Sequence, residues 1–168
     1  MDNLRGEGEH PRMRSPGKAL LHLWRRLHPL PGGKWLFARI FGWRVPYSGS
    51  VRPRFIALEP GRAEIEIPDR RANRQHLGSI HAIALMNVAE QASGLALLTG
   101  LPDGIRGIVT QISMQYFKKA RGTIRAVCNV TVPKVTGDMD FEVTADCLDS
   151  SATLVARATV RWRLGADR

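Results

Sequence analysis

The chain has 168 residues, with 25 Lys and Arg against 15 Asp and Glu, which gives a formal charge of +10. At 43% hydrophobic residues, this length suits one globular domain with a real core and excludes disorder throughout. No apolar run reaches the roughly 18 residues that a membrane span needs, and the first residues lack the apolar stretch of a signal peptide. Two cysteines cannot form a disulfide framework or a zinc cluster. We therefore expect a soluble, single-domain, cytoplasmic protein.

The positive charge is concentrated near the N-terminus. Residues 1–50 hold nine Lys and Arg and three Asp and Glu, whereas residues 51–75 and 76–168 each carry a net charge of only +2. A role at a nucleic acid or an anionic membrane would depend on this first third of the chain. Zinc-finger and helix-turn-helix signatures are missing, as is the basic, aromatic-spaced surface of a single-strand binder. We expect no nucleic-acid partner.

Residues 1–50 form a basic N-terminal extension with two short predicted helices. Residues 18–28 place apolar side chains on one side of an amphipathic helix, and prolines and glycines then interrupt it. A second helix is predicted at about 34–42. The pair could make a peripheral membrane contact or pack on the domain. Its short length and its aromatic side chains favour packing.

The hydrophobic period changes to two from residue 51 onward, which is typical of strands. Two strands are predicted at 54–58 and 62–67, followed by a helix at about 79–98 that is apolar on nearly every side. An antiparallel meander of four strands follows, at 107–117, 123–132, 139–148 and 152–164. A helix that is apolar all round must be wrapped by other elements. Residues 51–168 therefore predict an α+β domain, with a curved antiparallel sheet around one central helix, that dimerises.

One carboxylate of the predicted helix has no packing explanation. Glu90 lies in a run of apolar residues, where an unpaired charge is costly to bury. Asn87, Gln91 and Gly94 share a narrow polar stripe with it. Gly94 lowers helix propensity by about 1 kcal/mol relative to alanine, so a close approach is expected there. Glu90 either faces a reaction centre or dimer interface, which we favour, or pairs with a basic residue of a neighbouring strand.

The start of the helix is a second candidate feature. Gly78 allows a tight turn, and Ser79 can cap the helix. The free N–H groups of the first turn would then form a pocket for a developing oxyanion. Two histidines of this segment and Glu90 lack the spacing of a metal-binding motif, so we expect no metal and no cofactor. Cys128 and Cys147 fall on apolar strand faces and are expected in the core.

Residues 73–82, with the sequence NRQHLGSIHA, together with Glu90 and Gly94, resemble the helix-start signature of hotdog-fold acyl-CoA thioesterases. The phenylacetate-pathway type is the most similar. Residues 109–122 (VTQISMQYFKKARG) are similar to the next strand and turn of that family, and residues 41–48 resemble a less characterised branch of predicted thioesterases. The resemblance spans about residues 51–164. It implies the hotdog fold, a thioester hydrolase of lipid metabolism, an acyl-CoA or similar substrate, and a homodimer or dimer of dimers.

The resemblance also implies roles for individual residues. Glu90 would be the nucleophile or the general base, acting across the dimer interface on a substrate bound by the other subunit. Backbone N–H groups near Ala82 and Ile83 would polarise the thioester carbonyl. The other implied site residues are the loop residues Gly78 and His81, the substrate-contacting His76, the orienting residues Asn87, Gln91 and Thr110, and the cations Lys118, Lys119 and Arg121. Those three cations either hold the phosphates of coenzyme A or are ordinary solvated turn charges.

Three departures from the family pattern leave other functions open. Gln75 stands where the thioesterases have asparagine, and Ala82-Ile83 replaces a Gly-Gly pair. In addition, the acid is the glutamate Glu90, although glutamate also serves in related hotdog enzymes. The second change restricts backbone approach to a thioester, so a non-catalytic acyl-CoA or lipid-binding hotdog protein is one alternative. A 3-hydroxyacyl-thioester dehydratase is another, because His76 and Glu90 are fourteen residues apart as in hotdog dehydratases. The Phe-Pro-Gly that follows the histidine in those enzymes is absent.

Overall fold

A computed structural model describes residues 15–166 of the chain. Three N-terminal helices, two strands and a short 3-10 turn precede the central helix, and four strands follow it. The helices are α1 (Pro16–Leu27), α2 (Gly33–Arg44), α3 (Pro46–Gly49) and α4 (Ala82–Leu98), and the 3-10 turn is Arg71–Asn73. The strands are β1 (Arg54–Glu59), β2 (Arg62–Ile67), β3 (Ile105–Tyr116), β4 (Ile124–Asn129), β5 (Met139–Leu148) and β6 (Leu154–Ala166). Residues 1–14 and 167–168, which belong to the two predicted segments 1–50 and 51–168, lie outside the described residues.

The six strands form one antiparallel sheet in the order β1-β2-β4-β5-β6-β3. The predicted meander is confirmed for β4, β5 and β6 but is wrong for β3, which pairs with β6 rather than with β4. Alternating polarity identifies strands but not their neighbours. The chain leaves α4 towards one edge of the sheet, builds β3 there, and then crosses to the middle of the sheet to form β4.

The predicted central helix lies against the inner face of the sheet, and its contacts with β2, β4 and β5 account for most of its packing. The inward residues of β6 are fully or nearly fully buried beneath it, among them Ala158, Val160 and Trp162. Cys128 and Cys147 are in the same core, as predicted, and burial raises the pKa of each thiol to about 12. The predicted α+β hotdog architecture is thus confirmed, with the sheet wrapped around one helix.

The outer face of the sheet is lined with cross-strand ion pairs. Arg125 opposes Glu66, Arg157 opposes Asp146, and further pairs continue along β5 and β6. Exposed pairs of this kind contribute little to stability individually, about 0 to 1 kcal/mol. Their effect here is to neutralise most acidic residues of the sheet with arginines of the same sheet.

The three N-terminal helices pack on the domain, as we expected for the first two. Trp24 of α1 and Phe37 of α2 are buried with ring centroids 5.1 Å apart. Phe55 of β1 joins them, at 4.8 Å from Phe37 and 5.0 Å from Phe41 in edge-to-face geometry. The sequence did not predict α3. Within residues 15–166, no helix combines the length and the apolar character that crossing a membrane requires.

Candidate active site

A short closed loop between Asn73 and His81 leads into α4. The buried side-chain amide of Asn73 donates to the carbonyls of Val51 and Pro68 at 2.9 and 3.0 Å. The Asn73 carbonyl accepts from the His81 N–H at 2.8 Å, which closes the loop. Gly78 has φ +74°, a left-handed conformation that favours glycine, so the tight turn predicted there is confirmed.

The first turn of α4 is capped by His81 rather than by Ser79. Nδ1 of His81 accepts from the Ile83 N–H at 3.1 Å, which places the proton of a neutral ring on Nε2. The Ser79 hydroxyl is buried and accepts from Nε2 of Gln75 at 2.7 Å instead. Because Ser79 is used inside the loop, the helix begins at Ala82, three residues later than predicted.

The N-terminal half of α4 has one open side, and Glu90 lies on it. Ile83, Met86 and Glu90 follow one another there at intervals of three and four residues. The Glu90 side chain is half-buried and forms no hydrogen bond or ion pair within residues 15–166. Burial raises the pKa of its carboxyl above the ordinary value of 4.5. A basic partner on a neighbouring strand, the alternative interpretation of Glu90, is not found in the described part of the chain.

Gly94 makes room for a large side chain beside Glu90, as its position predicted. A Cβ built on Gly94 would lie 2.8 Å from Cη2 of Trp162 and 3.9 Å from Oε1 of Glu90. A Cβ built on Gly107 of β3 would lie 3.4 Å from the same indole. Trp162 is 4% exposed, and its Nε1–H has no acceptor among the described residues. The Trp162 ring therefore fills a slot formed by two glycines, one of which, Gly94, also lies beside the Glu90 carboxylate.

Asn87 and Gln91 attach α3 to the central helix. Nδ2 of Asn87 donates to the Tyr47 carbonyl, and Nε2 of Gln91 donates to the Ser48 carbonyl, each at 3.2 Å. Nε2 of Gln91 also donates to Oδ1 of Asn87. These contacts explain why both residues are polar on an apolar helix. Their predicted action on water or on Glu90 stays a prediction.

The inner face of β3 lies opposite the open side of α4. Ile112 and Met114 are half-buried on this face, and Tyr116 follows them. The Tyr116 hydroxyl donates to the Ala82 carbonyl at 3.3 Å, so the end of β3 is attached to the start of the helix. The candidate site is therefore bordered by α4 and by β3, a strand at the edge of the sheet.

The β3–β4 connection brings three cations close to the helix start. The Ala120 carbonyl accepts from the Ile80 N–H at 2.8 Å, which holds this connection against the loop before α4. Lys118, Lys119 and Arg121 are exposed and form no ion pair within residues 15–166. The structure therefore places them where a ligand at the helix start would meet positive charge.

Two predicted site residues lie apart from this group. Thr110 is at a β-bulge of β3, and its hydroxyl donates to the Arg161 carbonyl at 3.2 Å. His76 is exposed in the loop and forms no hydrogen bond or ion pair within residues 15–166. Among residues 15–166, no group of three His, Cys, Asp or Glu side chains is placed to hold a metal ion.

Sequence reasoning missed Trp162 and Tyr116 as neighbours of the site. Trp162 is a bulky residue among small inward residues of β6, opposite two glycines, and that mismatch of size was the available signal. Tyr116 was part of the motif that carried the family resemblance, but its contact with the helix start depends on β3 lying at the sheet edge. That placement was not predicted.

Comparison with solved structures establishes the fold. A structural-genomics protein with 29% identity superposes with a TM-score of 0.77, over 90% of this chain and 99% of its own. A Pseudomonas aeruginosa protein of unknown function, described as a probable thioesterase, has 22% identity and a TM-score of 0.71, over 82% and 97%. A thioesterase family protein from Silicibacter pomeroyi has 21% identity and a TM-score of 0.66, over 77% and 96%.

The comparison with protein families identifies one domain. None of the curated proteins compared with the chain matches it. A domain of unknown function, DUF4442, matches residues 33–164, a range that includes α2, α3, the central helix and all of the sheet except the last two residues of β6. Because this match covers most of the chain, the protein, with its hotdog fold, belongs to the DUF4442 family.

Proposed function

We propose that the protein hydrolyses acyl-CoA thioesters, with Glu90 as the group that activates water. The observation that carries this proposal is an unpaired carboxylate on the open side of the central helix, with its pKa raised by burial. A carboxylate that served only the fold would be paired, as the acids on the outer sheet face are. The likeness to thioesterase-family structures supports the same chemistry.

Hydrolysis with a general base requires one proton to move twice. The Glu90 carboxylate takes a proton from water while the water oxygen bonds to the thioester carbonyl carbon, and negative charge moves to the carbonyl oxygen. N–H groups at the start of α4 hold that oxyanion. The C–S bond then breaks, and the leaving thiolate receives the proton from Glu90, which yields a carboxylic acid and free coenzyme A. As a nucleophile, Glu90 would instead form an acyl anhydride that water opens.

The distance between the two halves of the site supports a dimer. Ala82 and Glu90 are eight residues apart, or about 12 Å along the helix axis. One thioester carbonyl and its attacking water cannot contact both in a single chain. We infer a homodimer, alone or paired into a tetramer, in which Glu90 of one subunit faces the helix start of the other. The outer edge of β3 has no partner strand among the described residues and is available for such an interface.

The cations of the β3–β4 connection support a coenzyme A thioester as the substrate. Lys118, Lys119 and Arg121 are exposed and lie beside the loop that starts α4. Phosphate groups of a bound coenzyme A would meet them there, and charge-assisted contacts of this kind are strong. A coenzyme A thioester as the substrate supports our proposal of a role in cytoplasmic lipid metabolism.

One observation favours a second candidate, a non-catalytic acyl-CoA or lipid-binding protein. The Ile83 N–H, one of the two expected oxyanion donors, is already occupied by Nδ1 of His81. A thioester carbonyl must therefore displace the imidazole or rely on Ala82. No comparable observation favours a dehydratase, since His76 is exposed in the loop and forms no hydrogen bond or ion pair within residues 15–166.

Release of free thiol from short, medium, long and aromatic acyl-CoAs tests the proposal. We expect turnover with at least one chain class, and a loss of at least about 100-fold in Glu90→Gln. Glu142→Gln is the control, because that carboxylate is exposed and paired with Arg161 on the outer sheet face. Folded, dimeric wild-type protein without turnover on any chain would rule out the hydrolase. Unchanged acyl-CoA affinity in Glu90→Gln, measured by calorimetry, would then support the binding protein.

A further inference from the structure

The outward face of α2 is aromatic although its opposite face already lies in the core. Phe37 and Phe41 are buried, whereas Trp35 and Trp43 are 67% and 80% exposed. Trp35, Arg39 and Trp43 are spaced four residues apart and so follow one line along the helix. The Arg39 guanidinium lies 5.6 Å from the centre of the Trp35 ring. Packing of the fold gives no reason for two exposed tryptophans on this face.

Other exposed apolar side chains flank this outward face of α2. Leu36 of the same helix is 42% exposed, Leu30 just before it 55%, and Tyr47 of α3 69%. Six of the eleven large, exposed apolar side chains among the described residues lie within residues 30–47. Such a concentration on one side of a protein marks an interaction surface.

The surrounding charge is of one sign. Residues 15–58 contain eight Lys and Arg and no Asp or Glu. These are Lys18, Arg25, Arg26, Lys34, Arg39, Arg44, Arg52 and Arg54. The ion pair between Lys18 and Asp103 is the single one that they form within residues 15–166. The sheet pairs most of its arginines with its own acids, whereas seven of these eight cations form no ion pair within residues 15–166.

A groove of about 1110 Å³ continues the outward face of α2 towards the start of β1. Arg39, Arg52, Arg54 and Arg70 line it together with the two exposed tryptophans. Nε of Arg70 is buried without an acceptor in the described chain, and burial, followed by the nearby charge of Arg52, lowers the Arg70 pKa. The groove therefore gathers cations that no anion of the described chain neutralises.

We propose that α2 and its flanking residues dock the protein on the surface of an anionic lipid bilayer. Trp35 and Trp43 enter the headgroup region, where tryptophan is enriched, and the helix lies in the plane of the membrane. The arginines of the groove bind the lipid phosphates, and each cation near an anionic surface strengthens binding. The aliphatic residues favour a lipid partner over a nucleic acid. Leu30 and Leu36 bind favourably to acyl chains, whereas a phosphate backbone offers them no apolar contact.

Flotation with vesicles of phosphatidylcholine, with and without phosphatidylglycerol, tests this proposal. We expect binding to the anionic vesicles alone, weakened by added salt. Brominated lipids should quench the tryptophan fluorescence, and the quenching reports on Trp35 and Trp43 because Trp24 and Trp162 are buried. Trp35→Ala/Trp43→Ala should weaken binding by about tenfold or more.

Two further variants separate charge from apolar contact. Arg39→Glu/Arg54→Glu should abolish the preference for anionic vesicles, while Lys134→Glu, an exposed change on the β4–β5 connection, should leave it within about twofold. Circular dichroism establishes that each variant is folded. Hydrolysis of a short acyl-CoA in solution should be unchanged in the double tryptophan variant, which separates docking from the active site.

Four outcomes would overturn the proposal. The first is no flotation with anionic vesicles at low salt, and the second is equal binding by the folded Trp35→Ala/Trp43→Ala variant. The third is a change of partner: if that variant converts a dimer into monomers, the face binds a second copy of the chain. Tighter binding to an oligonucleotide than to the anionic vesicles would likewise assign the surface to nucleic acid.

Discussion

The protonation of Glu90 links its surroundings to both stability and chemistry. Burial disfavours the charged form, and no cation or hydrogen-bond donor of the described chain compensates for that loss. The folded state therefore holds the proton to a higher pH than the unfolded state, which releases it near the ordinary value of 4.5. Between those two pKa values the unfolded chain has lost a proton that the folded chain keeps. Folding stability consequently falls as the pH rises through this interval.

Glu90→Gln should remove that cost at neutral pH. We expect the variant to gain stability relative to wild type, on the order of 1 kcal/mol, as the pH is raised from about 4 to about 8. Urea unfolding of both proteins across that range measures the difference. Glu142→Gln provides the comparison for a paired, exposed carboxylate. A difference that is the same at both ends of the range would contradict an unpaired, buried Glu90.

Gly94 is needed for the fit of Trp162 into its slot. Alanine would improve the helix propensity of position 94 by about 1 kcal/mol, but its Cβ would lie 2.8 Å from the indole. The ring is stiff, and Gly107 bounds it on the other side, so it cannot move away easily. We expect Gly94→Ala to lower the free energy of unfolding by about 1–3 kcal/mol, because overpacking outweighs propensity.

The matched control for this substitution is Gly137→Ala, where an added Cβ would meet nothing within 4 Å. Urea unfolding should place this variant within about 0.5 kcal/mol of wild type. Stabilisation by Gly94→Ala would show that the indole is mobile in its slot. The close approach that the glycine suggests would then be absent in solution.

At the scale of elements, the start of α4 depends on an uncommon cap. His81 occupies the N-cap position of α4, and its side chain accepts from the Ile83 N–H. This position is usually held by Ser, Thr, Asp or Asn. We expect His81→Ala to cost about 0.5–2 kcal/mol of stability and His81→Asn to restore most of it, because asparagine is an efficient cap. Thermal unfolding of the three proteins measures this series. Equal losses in both variants would mean that the imidazole acts through a contact other than the cap.

The sequence predicted most elements of this fold because their periodicity is local. The alternation in β5 and the apolar run of α4 depend only on residues near each other in the chain. Pairing is not local: nothing in β3 itself indicates that it lies beside β6 at the sheet edge. Similarly, serine is a residue type that caps helices, so the sequence favours Ser79 as the cap. In the structure the Ser79 hydroxyl accepts from Gln75 instead, and that contact depends on how the loop closes.

The candidate site, like the fold, could be predicted from the sequence only in part. Glu90 was identifiable because a charge in an apolar helix stands out, and Gly94 because glycine is costly there. Asn87 and Gln91 stood out equally, yet the structure gives them backbone carbonyls of α3 as partners. Sequence alone could not separate the two cases, since α3 itself was not predicted.

At the scale of the whole molecule, the proposed dimer makes a site that neither chain has alone. Under two-fold symmetry each interface contact occurs twice, so each dimer holds two equivalent sites, with Glu90 from one subunit and the helix start from the other. The substitution Ala82→Pro is chosen to impair the helix start, the second component of each site. Proline is tolerated at the first helical position, and the extended backbone of His81 before it is compatible, so the main loss is the Ala82 N–H.

Mixing two inactive variants tests this arrangement directly. Homodimers of Glu90→Gln lack the carboxylate in both sites, and homodimers of Ala82→Pro lack the donor in both sites. A mixed dimer collects both defects in one site and leaves the other intact. Random exchange in an equal mixture makes about half of the dimers mixed, so about a quarter of wild-type activity should return. If each site belonged to one chain, every site would stay defective and mixing would restore nothing. Native mass spectrometry with one tagged variant establishes that mixed dimers form, so their presence without activity would refute the shared site.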